Sequence, residues 1–365
     1  MKKAILHIGT EKTGTTSIQK FLFQNRSRLL LSGNLFPATA GFISNQRLVV
    51  YGKNAPEADL AGPSLDVDDP VALAQWKEQF VQEHCAEIMA FHQRQAADST
   101  VIYSSEHLQS RLTSVDEIKR IARLLRPMFD DLRIVVYLRR QDKYALSAHS
   151  TSVRGGDVKD FAFEAIDAAG PYYNYRKLLE NWSEVFGEEA LTVHIFERSR
   201  LCGGDVVSDF CRIAGIDNDS PGLEMPEPEN EALSQTALAI LRRFNSLAAN
   251  DPRLNGLGKQ QLRPFLIERV QAIDDEWGRM LPGRAQAISF HEHFAADNQW
   301  IADHWLEGQG FDQSFSEYPE QAIEIPQLEG IDERLDELIG SFSSWRHGVA
   351  GRMGQAVKQH LGKTG

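Results

Sequence analysis

The stretch HIGTEKTGTT, from His7 to Thr16, decides how the beginning of the chain folds. It closes the short apolar run AILHIG and leads into SIQKFLFQNRSRLLLSG, where Ile18, Phe21 and Leu22 fall on one helical face. An apolar run, a loop of small residues and an amphipathic segment, in this order, predict a strand, a tight loop and a helix. The chemistry of the loop then becomes the first question about function.

The loop nearly matches the phosphate-binding pattern G-x-x-x-x-G-K-[ST]. Gly9 and Gly14 have the required spacing, but Thr15 stands in place of the lysine, and Lys12 lies inside the loop. In nucleotide triphosphatases that lysine reaches the β- and γ-phosphates, and Thr15 cannot neutralise a γ-phosphate. The pattern therefore favours a ligand with one 5′-phosphoryl-type anion over a triphosphate.

The residue types of the loop still make a cradle for an anion. Two glycines allow a tight turn, so that backbone N–H groups of the turn and of the first helical turn can converge. Lys12 adds a full positive charge, and the helix start adds a partial one. A Gly/Thr-rich turn without any ligand remains the alternative for the loop taken alone. Four residues supply hydroxyl groups: Thr13, Thr15, Thr16 and Ser17.

Strands alternate with helices along the following residues. STVIYSSE, LRIVVYLRR and ALTVHIF are apolar, β-branched runs, whereas DKYALSAHSTSV, NYRKLLENWSEVFG and DVVSDFCRIAGI have helical spacing. This alternation predicts an α/β fold, a P-loop-like three-layer arrangement of a parallel sheet flanked by helices. Ligands of such sheets bind beyond the carboxyl ends of the strands, which selects residues 9–16, residues 104–107, and Arg139 with the helix behind it.

We expect two regions in the chain. An α/β core should cover residues 1–220, with an irregular insertion over about 34–70, where KNAPEADLAGP and GPSLDVDDP are rich in Pro, Gly and Asp. Residues 221–365 should form a mainly helical C-terminal appendage, because helical periodicity without a convincing strand follows DNDSPGLEMPEPENEALS. Its last amphipathic segment could pair subunits or lie on a membrane, although core packing is the plainer account.

Composition excludes several classes of protein. The formal net charge of -12 over 365 residues argues against a generic nucleic-acid binder. The cysteines Cys85, Cys202 and Cys211 show no metal-ligand spacing, so neither a disulfide framework nor a structural zinc site is expected. No apolar run approaches the ~18 residues of a membrane span, and we expect a cytoplasmic protein, with a homo-oligomer left open.

The segment GTEKTGTTSIQKFL resembles the 5′-phosphosulfate loop of PAPS-dependent sulfotransferases, in which K-[ST]-G-T-T follows the first strand. PAPS is 3′-phosphoadenosine 5′-phosphosulfate. The resemblance, to a bacterial-type member of this P-loop-like family, implies PAPS as sulfate donor, PAP as product and no metal. It also implies that Lys12 stabilises charge on the bridging oxygen as the sulfuryl group leaves. The residues that it implies for the 5′-phosphate and sulfate are Lys12, Thr13, Gly14, Thr15 and Thr16, with the hydroxyl of Ser17 beside them.

A second pattern fits the same family. Its 3′-phosphate motif is an arginine at a strand end and a serine eight residues later, as Arg139 and Ser147 stand in LRIVVYLRRQDKYALSAHS. Arginine can bind a phosphate with two hydrogen bonds. The chain departs from the family at Gln141, where proline is usual, and Arg140 is one residue too close to the serine. Arg154 could also touch the phosphate, although an exposed arginine at a helix end is the simpler account.

Sulfuryl transfer also needs a general base near the sulfur. The strand end IYSSEHL offers Glu106 as the first choice and His107 as the second, with Glu11 of the loop as the third. Orienting Lys12 or capping a helix are alternative roles for Glu106. The aromatic segment GPYYNY could line an acceptor pocket or belong to the core; its tyrosines are Tyr172, Tyr173 and Tyr175.

Three functions are consistent with these patterns. The first is a PAPS-dependent sulfotransferase acting on a hydroxyl or amine of an acceptor, for which a carbohydrate or a lipid are two options. The second is a divergent P-loop kinase, in which VIYSSE would bind magnesium, and the displaced Lys12 weighs against it. The third is a non-catalytic nucleotide-binding or interaction protein of the same fold. Nothing in the sequence identifies the acceptor.

Overall fold

A computed structural model describes residues 1–95, 98–227, 233–250, 257–272, 278–322 and 330–342. The named strands of these residues form one five-stranded sheet in the order β2-β3-β1-β4-β5, and all four pairings are parallel. This confirms the predicted α/β class with a parallel sheet. The strands are β1 (Lys2–His7), β2 (Asn34–Leu35), β3 (Ser99–Ser104), β4 (Asp131–Leu138) and β5 (Leu191–Ile195).

The helices follow the predicted alternation, with two additional short helices between residues 46 and 61. In chain order they are α1 (Thr15–Gln24), α2 (Arg26–Leu31), α3 (Gln46–Gly52), α4 (Ala58–Ala61), α5 (Pro70–Arg94), α6 (His107–Arg111), α7 (Val115–Leu125), α8 (Gln141–Gly155), α9 (Tyr175–Phe186), α10 (Val206–Ala214), α11 (Gln235–Asn250), α12 (Leu257–Gln271), α13 (Arg284–Glu292), α14 (Ala295–Trp305) and α15 (331–342).

Helices cover both faces of the sheet, because alternate strand residues point to opposite sides. In β1, Ala4 and Leu6 join an apolar cluster with α3, α5, α7 and α9, whereas Ile5 joins a second cluster with α1 and α10. Burying both faces explains why the central strands read as continuous apolar runs. The result is the three-layer arrangement that the sequence predicts.

The carboxyl ends of the three central strands lie side by side. His7 of β1 pairs with Ser104 of β3 on one side and with Val135 of β4 on the other. Each strand leads directly into a segment selected from the sequence, since β1 precedes the glycine loop, β3 precedes Glu106, and β4 ends one residue before Arg139. The sheet therefore brings these segments to one edge.

Residues 34–70 are more regular than their composition indicates. They contain β2, α3 and α4, and α3 buries Leu48, Val49 and Val50 completely. The Pro, Gly and Asp residues that suggest an insertion are concentrated after residue 54, whereas the preceding QRLVVYG is an apolar segment. The local apolar run therefore forms a helix, although the average composition of residues 34–70 indicates irregular structure.

The described residues form two compact units. The first comprises those within Met1–Tyr144, Ile166–Asn230 and Phe290–Gln313, and contains the sheet. The second comprises those within Ala145–Ala165, Glu231–Ser289 and Ser314–Gly365, where α11, α12 and α15 bury an apolar cluster that includes Ile240, Phe244 and Leu266. The division of the chain near residue 220 stays a prediction.

Two further observations concern only the described ranges. No helix in them is both long and apolar enough to cross a membrane. The described side chains also include no group of three or more His, Cys, Asp or Glu residues that could hold a metal ion.

Candidate functional site

The glycine loop connects the carboxyl end of β1 to the first turn of α1. Gly14 is the N-terminal cap of α1, with a φ of 74°, and no side chain caps this helix. A Cβ atom placed on Gly14 would lie 2.7 Å from Cγ1 of Val206 in α10, so only glycine fits there. The uncapped start leaves the first N–H groups of α1 without partners in the helix, which is the arrangement that binds anions.

The hydroxyl groups of the loop fall into two sets. Thr10 and Thr13 are buried, and their Oγ1 atoms donate to the carbonyls of Tyr137 at 3.0 Å and of Thr10 at 2.5 Å, respectively. These bonds hold the loop in shape and attach it to β4, so the hydroxyl proton of Thr13 is used within the protein. Three further hydroxyls lie at the start of α1, where Thr15 is buried, Ser17 is half-buried and Thr16 is exposed.

Arg139 lies beside the glycine loop. Its Nη1 donates a hydrogen bond of 2.9 Å to the carbonyl oxygen of Lys12, and its guanidinium stands over the ring of Phe196 at 5.7 Å. The hydroxyl of Tyr175 in turn donates to the Arg139 carbonyl at 2.7 Å. The structure thus places the Arg139 side chain against the backbone of Lys12 at one edge of the sheet.

Arg140 has a different environment from its neighbour. Its side chain is fully buried and forms a two-point ion pair with Asp142, through Nε to Oδ1 at 2.7 Å and Nη2 to Oδ2 at 2.8 Å. Its Nη1 also donates to the carbonyl of Asp312. A guanidinium held in this way supports the chain around β4.

Ser147 lies in α8, in the part of that helix that belongs to the second unit. It is half-buried, and its carbonyl accepts a hydrogen bond of 3.2 Å from Thr151 Oγ1. His149 and Arg154 follow on the same helix, and burial lowers the pKa of both. The pairing of Arg139 with Ser147 around one phosphate stays a prediction.

Glu106, the first choice for the base, follows β3 directly and contacts the glycine loop. Its carboxylate accepts a hydrogen bond of 2.5 Å from Nε2 of Gln19 in α1. A Cβ atom placed on Gly9 would lie 3.1 Å from the Glu106 Cα, so the missing side chain at Gly9 permits this close approach. Glu106 therefore lies against both ends of the loop, through Gly9 at its start and Gln19 beyond its end.

The second and third choices for the base lie nearby. His107 begins α6, and its Nδ1 is buried without a hydrogen-bond partner among the described residues. Glu11 is close to two tyrosines: burial raises the pKa of Tyr144 and of Tyr172, and the Glu11 charge raises both further. The three candidates for the base, two carboxylates and one imidazole, thus all lie near this edge of the sheet.

The three tyrosines of GPYYNY have unequal roles. Tyr175 is fully buried, and burial raises its pKa. Tyr173 packs edge-on against Tyr144 at 5.2 Å between ring centroids, and burial raises its pKa to about 12. Tyr172 is half-buried, and burial raises its pKa. Tyr175 therefore belongs to the core, whereas Tyr172 and Tyr173 are half-buried and Tyr172 lies within reach of the Glu11 charge.

Sequence reasoning missed Gln19 and His7. Gln19 is 4% exposed and interrupts the apolar face of α1 between Ile18 and Phe21, which is the signal that could have identified it. His7 is fully buried at the end of β1, with Nδ1 2.8 Å from Ser104 Oγ, and burial lowers its pKa to about 3. A neutral histidine in this position links β1 to β3 directly below the loop.

Comparisons with known proteins leave the family open. No family model matches the sequence. An uncharacterized protein of Archaeoglobus fulgidus is 26% identical over 220 residues, which are 57% of this chain and 56% of that protein, so the match spans little more than half of either. A sulfotransferase of known structure from Alicyclobacillus acidocaldarius matches 69% of this chain and 97% of its own, with 18% identity and a TM-score of 0.36. That score is too low to establish a shared fold or activity.

Proposed function

We propose that the chain is a sulfotransferase that transfers the sulfuryl group of PAPS to a hydroxyl or amine of an acceptor. One observation carries the proposal: Arg139 Nη1 donates a hydrogen bond to the Lys12 carbonyl. Two sequence patterns that are 127 residues apart therefore meet beyond the carboxyl ends of β1 and β4. Nucleotides bind to parallel sheets at this edge.

The loop residues fit the 5′ end of PAPS. The uncapped start of α1 offers N–H groups, and Gly14 keeps a side chain out of the turn. Lys12 adds a positive charge that a phosphosulfate requires. Thr15, which replaces the lysine of triphosphatases, leaves the site without a cation for a γ-phosphate. Arg139, with Ser147, is our proposal for the 3′-phosphate.

The chain would supply charge stabilisation and a base to the reaction. PAPS brings a sulfuryl group joined to the 5′-phosphate by a bridging oxygen. As the acceptor oxygen forms its bond to sulfur, the bond from sulfur to that bridging oxygen breaks, and the bridging oxygen keeps the electron pair. Lys12 would stabilise the resulting charge, and the Glu106 carboxylate, oriented by Gln19, would take the proton of the acceptor.

Calorimetry with three ligands tests the proposal. We expect PAP to bind without metal and more tightly than ATP with magnesium. A preference for ATP with magnesium would support a divergent kinase instead, and binding of neither nucleotide would support a non-catalytic protein. Transfer of radioactive sulfate from PAPS to a panel of alcohols, sugars, lipids and amines then identifies the acceptor class.

Three expectations about the whole protein belong to the same proposal. We propose a cytoplasmic protein, since PAPS and the acceptor must both reach the loop. We also propose that residues 1–220 form the donor-binding core and that the mainly helical residues 221–365 contribute to acceptor choice. Substitutions within residues 221–365 of the full chain that change acceptor choice and leave PAP affinity unchanged would support this division of roles.

A further inference from the structure

Exposed apolar side chains gather around α2 in the first compact unit. Nine large apolar side chains of the described residues are exposed, and five of them belong to three short segments near this helix. Folded monomers rarely expose a contiguous apolar patch unless it binds something. The five are Leu30 and Leu31 at the end of α2, Phe42 and Ile43 in the loop after β2, and Met225 in the segment after α10.

Arg26, the first residue of α2, joins this helix to the loop after β2. Its guanidinium stands 5.5 Å from the ring centroid of Phe42 and 5.5 Å from that of Phe23, and its Nη2 donates to the Phe42 carbonyl at 2.8 Å. The two rings meet edge-on at 4.8 Å between centroids. Leu30 lies one helical turn after Arg26, on the same side of α2. The exposed loop and the exposed end of α2 are therefore neighbours.

Met225 belongs to a segment that is attached to the junction of α1 and α2. The Asn25 side chain accepts from the Glu224 N–H and donates to the Glu224 carbonyl, both at 2.8 Å. Arg28 lies against the same segment, since a Cβ atom placed on Gly222 would overlap its guanidinium. These contacts extend the exposed set beyond α2. We call the following residues the α2 surface: Arg26, Arg28, Leu30, Leu31, Phe42, Ile43 and Met225.

The loop of the α2 surface is attached to the protein on both sides of its exposed pair. Ser44 Oγ donates to Ser105 Oγ at 3.1 Å after the pair, and Arg26 holds the carbonyl of Phe42 itself. Even so, 67% of Phe42 and 48% of Ile43 are exposed. The loop therefore presents two apolar side chains to the outside instead of burying them.

The charge of this part of the chain favours an anionic partner. From Lys12 to Pro56 the sequence contains no Asp or Glu, although the whole chain has 51 of them and a net charge of -12. Arg26 and Arg28 form no ion pair within the described part of the chain. Glu87 is the carboxylate that acts on Arg26, and it already accepts hydrogen bonds from two backbone N–H groups of the loop after β2. Both arginines therefore keep charge for a partner.

A membrane surface with anionic phospholipids matches both properties. Apolar side chains of a surface-bound protein enter the boundary between headgroups and acyl chains, while arginines reach the lipid phosphates. Leu31 is 89% exposed and Phe42 67%, so each stands out from the protein instead of lining a groove that could hold a peptide. Projecting side chains of this kind suit a soft apolar layer.

We propose that the α2 surface docks the chain onto membranes that contain anionic phospholipids. The apolar side chains of the loop and of the end of α2 enter the acyl boundary, and Arg26 and Arg28 contact the phosphates. Glu224 and Glu227, which are exposed on either side of Met225, lie at the border of the surface and oppose the binding. This docking goes beyond the proposed function and does not depend on it.

Flotation of the full chain with vesicles tests the proposal. One set contains phosphatidylcholine and phosphatidylserine in a two-to-one mixture, and the other contains phosphatidylcholine alone. We expect the chain to float with the mixed vesicles, and less at high salt or without phosphatidylserine, because salt screens the attraction. Arg28→Gln should weaken binding to the mixed vesicles about fivefold, and Glu224→Gln should strengthen it.

The apolar contribution is measured with matched variants. Phe42→Ser and Leu31→Ser should each weaken binding to the mixed vesicles about tenfold. Val71→Ser is the control, because Val71 lies outside the α2 surface and is 62% exposed, and it should leave binding unchanged. All three positions are exposed, so urea unfolding should show the stability of the wild type for each variant.

Several results would overturn the proposal. Absence of flotation with the mixed vesicles would do so, and so would equal losses in Phe42→Ser and Val71→Ser. Equal binding to both kinds of vesicle would exclude a role for anionic lipids. Sedimentation equilibrium without lipid examines the other occupant: a dimer that Phe42→Ser dissociates would make the α2 surface an interface between two copies of the chain, and membrane docking would be rejected.

Discussion

Arg139 and Lys12, which are separated by 127 residues of sequence, are joined by a hydrogen bond of 2.9 Å from Nη1 to the carbonyl oxygen. The bond leaves the charge of the guanidinium intact, because its acceptor is a neutral carbonyl. It also places a second cation beside a loop whose N–H groups are open at the start of α1. This contact is the basis of the first prediction, which concerns Arg139.

Arg139→Ala should weaken PAP binding about ten- to a hundredfold, since a hydrogen bond to a charged group contributes about 1.5–3 kcal/mol. Calorimetry measures the loss. Arg133→Ala is the matched control, because Arg133 lies on β4, the strand that precedes Arg139, and its side chain is 57% exposed. Equal affinities of both variants for PAP would contradict the role of Arg139.

Asp142→Asn should lower the free energy of unfolding by about 3–5 kcal/mol, because it leaves the buried Arg140 guanidinium without its counter-ion. The PAP affinity of the folded protein should stay close to that of the wild type. Urea unfolding and calorimetry measure the two quantities. The exposed pair of Arg133 and Asp131 provides the control, since Asp131→Asn should cost no more than about 1 kcal/mol.

Glu106→Gln should spare PAP binding and lower the rate of sulfate transfer about 10²- to 10⁴-fold, as expected for loss of a general base. His107→Gln should change the rate much less. Transfer of radioactive sulfate to an acceptor identified by the panel measures both. A larger loss in the histidine variant would move the role of base to His107.

Gly14→Ala should destabilise the protein by more than the about 1–2 kcal/mol that a left-handed residue costs without glycine. The reason is the additional overlap of its Cβ with Val206. Gly215→Ala is the matched control, because Gly215 has a similar φ of 68° and open space around it. Urea unfolding should also show that Val206→Ala recovers part of the loss in Gly14→Ala and none in Gly215→Ala.

Stability should fall as the pH decreases below 6.5. Burial lowers the pKa of His7 to about 3 and of His84 to about 4, so the unfolded chain takes up protons before the folded chain does. The stabilisation is complete above pH 6.5 and is lost as the pH falls toward these folded values, by up to about 1.4 kcal/mol per pH unit for each histidine. His7→Asn should flatten the decline in urea unfolding, whereas the exposed His293→Asn should leave it unchanged.

The sequence was most informative where structure is local. The apolar run of β4 predicts a strand that ends at Arg139, and the rule for carboxyl ends predicts that Arg139 and the glycine loop share an edge, as they do. In the mainly helical region after residue 220, α13 and α14 are separated by a break at His293 and Phe294 that no proline or glycine marks. Such breaks depend on tertiary packing.

The contacts that sequence could not predict are those between distant side chains. Nothing local pairs Gln19 with Glu106, which are 87 residues apart. The segment before α9 likewise contacts α6 through a hydrogen bond from Gln109 Nε2 to the Pro171 carbonyl, across 62 residues. The predicted last amphipathic segment lies mostly outside the described residues, although Ile331 and Leu335 of α15 are buried in the second unit.

The close approach of Gly9 to Glu106 has an evolutionary consequence. A side chain at position 9 would displace the backbone that carries the candidate base, since its Cβ would lie 3.1 Å from the Glu106 Cα. Selection on the base is therefore also selection on a glycine that performs no chemistry. Relatives that keep this activity should retain glycine at position 9 even where the other loop residues drift. Loss of that glycine would indicate lineages in which Glu106 no longer serves the proposed reaction.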